Sequence, residues 1–352
     1  MLKYFLFACL SLPIFTIQGE VDFTHRAASA SKGASTEDET NCFQRWVTHT
    51  LRKLAANSSI AQTASGPIEY SFEGSGPVVM TLHGGFGGYD QGELVGDSLI
   101  EAGFKVLSPS RPGYLRTPLY VGATPEQQAD AMVNLMDALG VDQVGVIGYS
   151  AGCSVAFQMA VRHPTRVWGL VLECLGGQPQ QGPLYQLLTQ FVSIDALTDF
   201  SSWLLFLATR SDFRGTSEVV LSLDNSLSPI DLNNRIAYVM DHRKQKRFLR
   251  KFILSNIPLS PRKDGLLNDI ANLDPWQSPA YISAYPTVHT PTLIISSPDD
   301  TSGFYPEAVF VSQQIPGAQL ITVGNTGHFI WLGSHTKQWE PALRYFLKIN
   351  KK

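Results

Sequence analysis

A serine between two glycines is the feature of this sequence that most directly suggests chemistry. Residues 148 to 152 read GYSAG, with a short apolar stretch immediately before them and apolar residues at helical spacing immediately after. A strand that enters a helix through G-x-S-x-G is typical of a nucleophile elbow, whose sharp turn exposes the serine hydroxyl. We expect Gly148 and Gly152 to be required because a side chain at either position would strike the neighbouring strand or helix. Ser150 is therefore the predicted nucleophile, and the alternative is an ordinary turn of small residues.

A serine hydroxyl attacks well only when a base removes its proton and a third group orients that base. In a chain with this elbow, the acid and then the histidine are expected after the serine. Asp299 and Asp300 follow a predicted strand over 292–296, and His328 follows another over 320–323, in the loop GNTGHF. We predict His328 as the base, the alternative being a surface-loop histidine. Asp300 is preferred as the acid because it lies farther from its strand and has more freedom to turn back, whereas Asp299 would be a solvated or turn-capping carboxylate.

Acyl transfer also requires hydrogen-bond donors for the oxygen that becomes negatively charged in a tetrahedral intermediate. The backbone N–H of Ala151, the residue after the predicted nucleophile, is one expected donor. The other is expected in the loop HGGFGG, residues 83 to 88, which follows a predicted buried strand. We predict the N–H of Gly85 for this role, with the N–H of Phe86 as the second choice. The alternative is a glycine-rich turn without catalytic function.

These residues can meet only if several strands end at the same edge of a sheet. Apolar strand-like segments alternate with helical ones up to about Gly176, and the alternation resumes at Thr292. This pattern predicts an α/β fold with a mostly parallel central sheet and helices on both faces. A structureless loop of the intervening length is implausible in a compact domain, so we predict a helical cap. The candidate cap helices cover residues 187–192, 199–209 and 243–254.

Five stretches resemble the α/β-hydrolase fold superfamily and occur in the order found there. They are HGGFGG (83–88), SRPGYLRTP (110–118), GYSAG (148–152), PTLIISSPDD (291–300) and GNTGHF (324–329). Within that superfamily the chain is similar to capped, lipase- or esterase-like serine hydrolases, over residues of about 67 to 350. The resemblance implies that the acid is the second carboxylate of the Asp-Asp pair, which supports Asp300. It implies less about the substrate, because function depends on the site rather than on the fold.

The predicted domain organisation has a core that the cap interrupts. It comprises a signal peptide (1–19), a disordered leader with a short helix (20–60), a first part of the hydrolase core (61–178), the helical cap (179–285) and a second part of the core (286–352). The short helix is expected over 41–56, where four apolar residues recur at helical spacing.

The N-terminus indicates export. Lys3 precedes an apolar stretch, Tyr4–Ile17, which fits a signal peptide and is short for a membrane span. Cleavage after Gly19 and cleavage after Ala30 both remain open, and the alternatives are an uncleaved anchor or a chance apolar start. The prediction is a secreted or secretory-pathway protein without a transmembrane span.

Composition excludes some partners. The formal net charge is −3, so the strongly basic surface typical of nucleic-acid binding is not expected. No metal or cofactor is expected. Of the four cysteines, Cys9 would leave with the signal peptide, so Cys42, Cys153 and Cys174 remain. A bridge between Cys153 and Cys174 is conceivable, and two buried free thiols are the preferred interpretation.

Two segments of the predicted cap have open interpretations. The apolar stretch that contains Phe200, Trp203 and Phe206 is a candidate acyl-binding pocket, and the alternative is packing of the cap against the core. The basic run over 242–251 is interpreted as a solvated helix face rather than as a patch for membranes or anionic ligands.

The expected function is that of a cofactor-independent serine hydrolase that cleaves carboxylic esters of small or medium-size molecules through an acyl-enzyme. The alternatives are a small-peptide or amide hydrolase, a carbon–carbon bond hydrolase, and a ligand receptor with slow turnover. The first of these is suggested by HGGFGG, which is similar to the H-G-G-x-G loop of proline iminopeptidases. A small-molecule substrate is expected in every case, and the oligomeric state is left undetermined.

Overall fold

The structure is a computed structural model that describes residues 36–176, 192–222, 225–272 and 276–351. The predicted signal peptide and the start of the predicted leader lie outside the described residues, as does all but the last residue of the helix predicted over 187–192.

A single sheet organises the core. Its strands pair in the order β1-β2-β4-β3-β5-β6-β7-β8; the first two pairings are antiparallel and all others are parallel. The strands are β1 (Ser59–Thr63), β2 (Gly66–Gly74), β3 (Val78–Leu82), β4 (Lys105–Pro109), β5 (Val144–Tyr149), β6 (Val167–Glu173), β7 (Thr292–Ser296) and β8 (Gln319–Thr322). The prediction of a mostly parallel sheet is confirmed.

Helices cover both faces of this sheet, as predicted. On one side lie α3 (Pro125–Ala138), α4 (Gly152–Arg162) and α11 (Tyr305–Gln314); on the other lie α2 (Tyr89–Glu101) and α12 (Thr336–Asn350). The central strand β5 is buried along its whole length, with Val144 and Val146 in one hydrophobic cluster and Ile147 and Tyr149 in the other. Burial on both faces explains why this strand is a continuous apolar run rather than an alternating one.

The described residues between β6 and β7 are mostly helical, and we refer to them as the cap. Its described helices are α5 (Asp195–Ser211), α6 (Phe213–Ser222), α7 (Pro229–Asp241), α8 (Arg243–Leu254), α9 (Lys263–Ala271) and α10 (Pro279–Ala284). The helix expected over 243–254 coincides with α8, and the one expected over 199–209 lies within the longer α5. Buried or half-buried ion pairs join cap to core: Arg262 to Asp90 at 2.8 Å, and Arg111 to Asp269 at 2.5 Å.

A long helix, α1 (Thr36–Ala56), precedes the sheet and begins five positions before the expected start at residue 41. It lies against α5 of the cap. Within the part of the chain that is described, no helix combines the length and apolar character needed to cross a membrane.

Candidate active site

The elbow is built as the two glycines predict. A Cβ atom on Gly148 would lie 2.6 Å from the carbonyl oxygen of Gly152, and one on Gly152 would collide with the carbonyl oxygen of Leu82 on the neighbouring strand β3. Ser150 has a φ of 52°, a conformation that is strained for a residue with a side chain. Its own N–H donates to the carbonyl of Glu173 at 2.9 Å, which fixes the turn against β6.

We expect Gly152→Ala to destabilise the protein by roughly 3 kcal/mol, because the new methyl group meets backbone that cannot rotate away. The matched control is Gly324→Ala, where a Cβ meets no heavy atom within 4 Å and φ is not positive. Urea unfolding followed by circular dichroism measures both free energies of unfolding. Equal stabilities of the two variants would contradict the steric explanation of the elbow.

An aspartate and a histidine are paired beside this turn. The Nδ1 atom of His328 lies 2.8 Å from Oδ2 of Asp300, and both side chains are completely buried. The other carboxylate oxygen of Asp300 accepts hydrogen bonds from the N–H groups of Ser302 at 2.8 Å and Gly303 at 2.6 Å. The carboxylate is therefore held in one orientation, and the histidine is held through its Nδ1 atom.

The neighbouring carboxylate is placed differently. Asp299 is half-buried, its N–H donates to the Ser297 hydroxyl at 3.2 Å, and its carbonyl accepts from the Ser226 N–H of the cap at 2.9 Å. The pairing with His328 thus involves Asp300 and not Asp299.

The second nitrogen of the histidine is available. The Nε2 atom of His328 is buried and has no hydrogen-bond partner among the described residues. The ring centroid lies 5.1 Å from that of Tyr149, which directly precedes Ser150. A buried polar atom without a partner is costly, so this nitrogen is suited to bond a group that enters the site or a serine hydroxyl that rotates toward it.

Two backbone donors lie in the segments next to the serine. The N–H groups of Gly85 and Ala151 donate no hydrogen bond to any residue in the described ranges. The glycine-rich loop passes directly beside the nucleophile, since a Cβ on Gly84 would lie 3.1 Å from Cβ of Ser150. Phe86, which follows Gly85, has a φ of 63° and is buried. Backbone donors without a partner near a nucleophilic serine are what an oxyanion hole requires.

The loop is braced by a buried network around Arg111. The backbone N–H of Arg111 donates to Nε2 of His83 at 3.0 Å, and its Nε–H donates to the His83 carbonyl at 2.8 Å. Burial, and then the nearby Arg111 charge, lower the pKa of His83 well below its ordinary value, so this histidine is neutral and structural. The guanidinium also forms a two-pronged ion pair with Asp269 of the cap, whose carboxylate accepts a hydrogen bond from the Tyr114 hydroxyl.

A small cavity opens against the nucleophile. Its volume of about 20 Å³ is enough for a water molecule. Its walls come from both core and cap and include Gln128, Ser150, Ala151, Asp269, Asn272 and Trp276. The Arg111–Asp269 ion pair therefore forms part of the boundary of the site as well as a link to the cap.

The predicted acyl pocket is not supported. Phe200 and Trp203 each lie 5.8 Å from the ring of Phe43 on α1, and Phe206 lies 5.3 Å from Trp46 on the same helix. None of the three lines the cavity against Ser150 described above. Helix α1, which sequence reasoning left unplaced, takes up these aromatic contacts, and an acyl-binding role for the three residues remains a prediction.

Other residues near the site were given no catalytic role by the sequence analysis. Ligand atoms of Cys174, Asp300 and His328 all lie within 4.8 Å of one another. Cys153 and Cys174 are buried and are not joined by a disulfide, and Cys42 is exposed, so the alternative of a bridge does not apply. Glu173, which precedes Cys174, is buried, and its carboxyl accepts a hydrogen bond from the Trp331 indole at 3.1 Å.

Burial raises the pKa of Glu173 to about 8, although the Trp331 hydrogen bond opposes the shift. Between pH 4.5, which is the ordinary pKa of this group, and about pH 8, Glu173 is therefore protonated in the folded protein and ionised in the unfolded chain. Since the unfolded state binds fewer protons in this window, stability falls as pH rises through it. A pKa shift of this size corresponds to a change of as much as roughly 5 kcal/mol in the free energy of unfolding.

Glu173→Gln keeps an acceptor for Trp331 and cannot ionise, so we expect its stability to fall much less between pH 5 and pH 9 than that of the parent. Urea unfolding at several pH values measures this difference, and Glu101→Gln, at a side chain with 69% of its surface exposed, is the control. Parallel pH profiles of the parent and Glu173→Gln would contradict the shifted pKa.

Comparisons with known proteins agree with this architecture. A family model described as alpha/beta hydrolase fold matches residues 77–333. An uncharacterized hydrolase, YcgS, of Bacillus subtilis (strain 168) is 26% identical over 292 residues, which is 80% of this chain and 95% of that protein. A 2-hydroxy-6-oxononadienedioate/2-hydroxy-6-oxononatrienedioate hydrolase of Dechloromonas aromatica (strain RCB) is 28% identical over 304 residues, or 83% of this chain and 93% of that one. The solved structure of an alpha/beta hydrolase fold protein from Nakamurella multipartita has a TM-score of 0.72 at 25% identity and covers 83% of this chain and 99% of its own.

Proposed function

The chain belongs to the α/β-hydrolase fold family, and within that family we propose that it is a serine hydrolase that cleaves carboxylic esters of small or medium-size molecules. One observation carries the proposal: a buried Asp300–His328 pair, with Nε2 of the histidine unpartnered among the described residues, lies beside a serine in a strained turn. Residues of these types in this arrangement are suited to nucleophilic catalysis.

In the proposed mechanism, the Ser150 hydroxyl attacks the ester carbonyl while Nε2 of His328 accepts its proton. Asp300 holds the ring through Nδ1 and stabilises its protonated form. The free N–H groups of Gly85 and Ala151 donate to the oxygen of the tetrahedral intermediate. His328 then protonates the leaving alcohol, and an acyl-enzyme remains on Ser150. In the second half, His328 removes a proton from water, which attacks the acyl group, and returns that proton to the serine.

A second candidate is hydrolysis of a carbon–carbon bond. It is favoured by the relative from Dechloromonas aromatica, which is named as a hydrolase of 2-hydroxy-6-oxo-dienedioates and aligns over most of both chains. The same serine, histidine and aspartate would serve either reaction. The difference lies in the leaving group, which is an alcohol in one case and a carbanion that must be protonated in the other.

Substrate profiling tests the proposal. We expect kcat/KM for p-nitrophenyl esters to exceed that for 2-hydroxy-6-oxo-dienoates and for aminoacyl p-nitroanilides by tenfold or more, a difference of about 1.4 kcal/mol in transition-state binding. Ser150→Ala gives the background rate for each substrate. Faster turnover of the dienoate would replace the ester proposal by the carbon–carbon one, and faster turnover of the anilide would favour the peptidase alternative.

We also propose that the protein enters the secretory pathway, because Lys3 and the apolar stretch Tyr4–Ile17 resemble an export signal. The expected result is a mature N-terminus between about residues 20 and 31 when protein from its native host is sequenced by mass spectrometry. Recovery of intact Met1 in a cytosolic fraction would contradict this proposal without bearing on the chemistry.

A further inference from the structure

A larger cavity lies between helices α2, α8 and α12, and we call it the α8 cavity. Its volume of about 510 Å³ is in the range of small-molecule sites. The three helices supply most of its walls, together with Trp331 from the chain after His328. It shares no lining residue with the small cavity against Ser150. The α8 cavity is therefore a binding site separate from the candidate active site.

The interior of the α8 cavity is apolar. Its lining side chains include Leu94, Ile147, Phe248, Trp331, Trp339 and Leu343. They belong to the hydrophobic cluster on this side of the sheet or pack against it. Aliphatic and aromatic walls of this kind suit a ligand with an apolar body.

One buried carboxyl group interrupts the apolar lining. Glu173 lines the cavity and is 1% exposed. Its Oε2 atom accepts the Trp331 hydrogen bond, and its other carboxyl oxygen has no hydrogen-bond partner in the described part of the chain. Because its raised pKa keeps it protonated up to about pH 8, Glu173 adds no negative charge to the cavity near neutral pH.

Most of the charged side chains that line the cavity compensate one another. The pairs are Lys244 with Glu101 at 3.5 Å, Lys251 with Asp97 at 3.6 Å, and Arg344 with Glu340 at 3.0 Å. Apart from Glu173, these three carboxylates are the only acidic side chains among the described residues that line the cavity. Every ionised carboxylate of the lining is therefore matched by a cation.

Two cations of the lining remain without such a partner. Arg243 and Arg247 lie one turn apart on the same face of α8, and both are exposed at the solvent side of the cavity. Neither forms an ion pair with any residue in the described ranges. A guanidinium group donates two parallel hydrogen bonds to a carboxylate, a geometry that an ammonium group does not offer. The cavity thus combines an apolar interior with an uncompensated anion-binding end.

We propose that the α8 cavity binds an amphipathic carboxylate of the fatty-acid type, with its chain among the apolar side chains and its carboxylate on Arg243 and Arg247. A cationic ligand would be repelled by the two arginines, and an uncharged one would leave them unused. For the part of the basic run over 242–251 that lines the cavity, this proposal takes up the alternative of a patch for anionic ligands.

Tryptophan fluorescence tests the proposal in the full chain. The ligands are ω-bromoundecanoate and the matched uncharged ω-bromoundecanol, whose bromine quenches indole groups that it approaches. Titrations are made with the parent protein and with the double variant Arg243→Ala/Arg247→Ala. The control is Arg250→Ala on the same helix, whose guanidinium lies 4.4 Å from the Phe213 ring and does not line the cavity.

We expect saturable quenching by the carboxylate, with Kd raised about fivefold or more in the double variant and changed by less than about twofold in Arg250→Ala. The Kd of the alcohol should be the same in the parent and the double variant within about twofold. An unchanged Kd of the carboxylate in the double variant, or an equal loss of affinity for the alcohol, would overturn the proposal.

Two tryptophan variants locate the bound ligand. Trp339→Phe should remove part of the quenching, because Trp339 lines the α8 cavity. Trp276→Phe should leave it intact, because Trp276 lines the cavity against Ser150. The reverse result would assign the ligand to the candidate active site and overturn the proposal. Binding is measured without turnover, so failure of this proposal and failure of the proposed function are distinguishable.

Discussion

Ser150→Ala is expected to reduce kcat for ester hydrolysis by about 10³-fold or more while the protein remains folded. The serine sits in a turn whose strain is maintained by surrounding backbone, and alanine occupies the same space without a hydroxyl. Loss of the nucleophile leaves only the backbone donors and binding contacts, which give a small residual rate. Steady-state kinetics with a p-nitrophenyl ester measures the effect.

The control for this change is Ser312→Ala on α11, whose hydroxyl donates to a carbonyl in its own helix at 2.7 Å. We expect its kcat to remain close to that of the parent. An equal loss in both variants would point to a general structural effect, and retention of activity in Ser150→Ala would place the nucleophile elsewhere.

Asp300→Asn is expected to lower kcat by about 10²- to 10⁴-fold. An amide in this position carries no negative charge to stabilise the protonated ring, and its NH₂ group favours the wrong tautomer of His328. Asp299→Asn should change kcat by less than about threefold, because the contacts of Asp299 described above are made by its backbone. Kinetics of the two variants at the same pH separates the roles, and a reversed order would contradict the assignment.

The positions of the candidate triad residues could be predicted from the sequence because each residue follows a recognisable strand of the sheet. Parallel strands that pair in register bring their C-terminal ends to one edge, so Ser150 after β5, Asp300 after β7 and His328 after β8 approach each other without further information. The glycines at 148 and 152 could be predicted because the sharp turn leaves no room for a side chain, although the clash at Gly152 is with Leu82 of the neighbouring strand.

The orientation of the aromatic segment of α5 could not be predicted from the sequence in the same way. Its residues are apolar on one side and polar on the other, and the usual expectation is that the apolar side faces inward. The hydrogen bonds of Asp199 and Ser202 to Ser260 and Leu259 reverse this orientation, and they join residues about sixty positions apart. Contacts of this range leave no periodic trace in a single sequence.

The burial of Glu173 is a further feature that the sequence did not predict. A glutamate at the end of an apolar strand is normally expected in solvent. Its partner, Trp331, is 158 positions away and follows His328 by three residues. The Trp331 and Tyr149 ring centroids are also 4.3 Å apart, so Trp331 contacts the elbow as well as belonging to the His328 loop. Only the folded structure shows this contact.

Peptide mapping after labelling with a fluorophosphonate probe tests the central claim most directly, because the probe reacts only with a serine that is activated for attack. We expect one phosphonyl group per chain, located on the peptide that contains Ser150, and loss of labelling in Ser150→Ala. A label on another residue, or labelling that persists in Ser150→Ala, would contradict the assignment of this serine as the nucleophile.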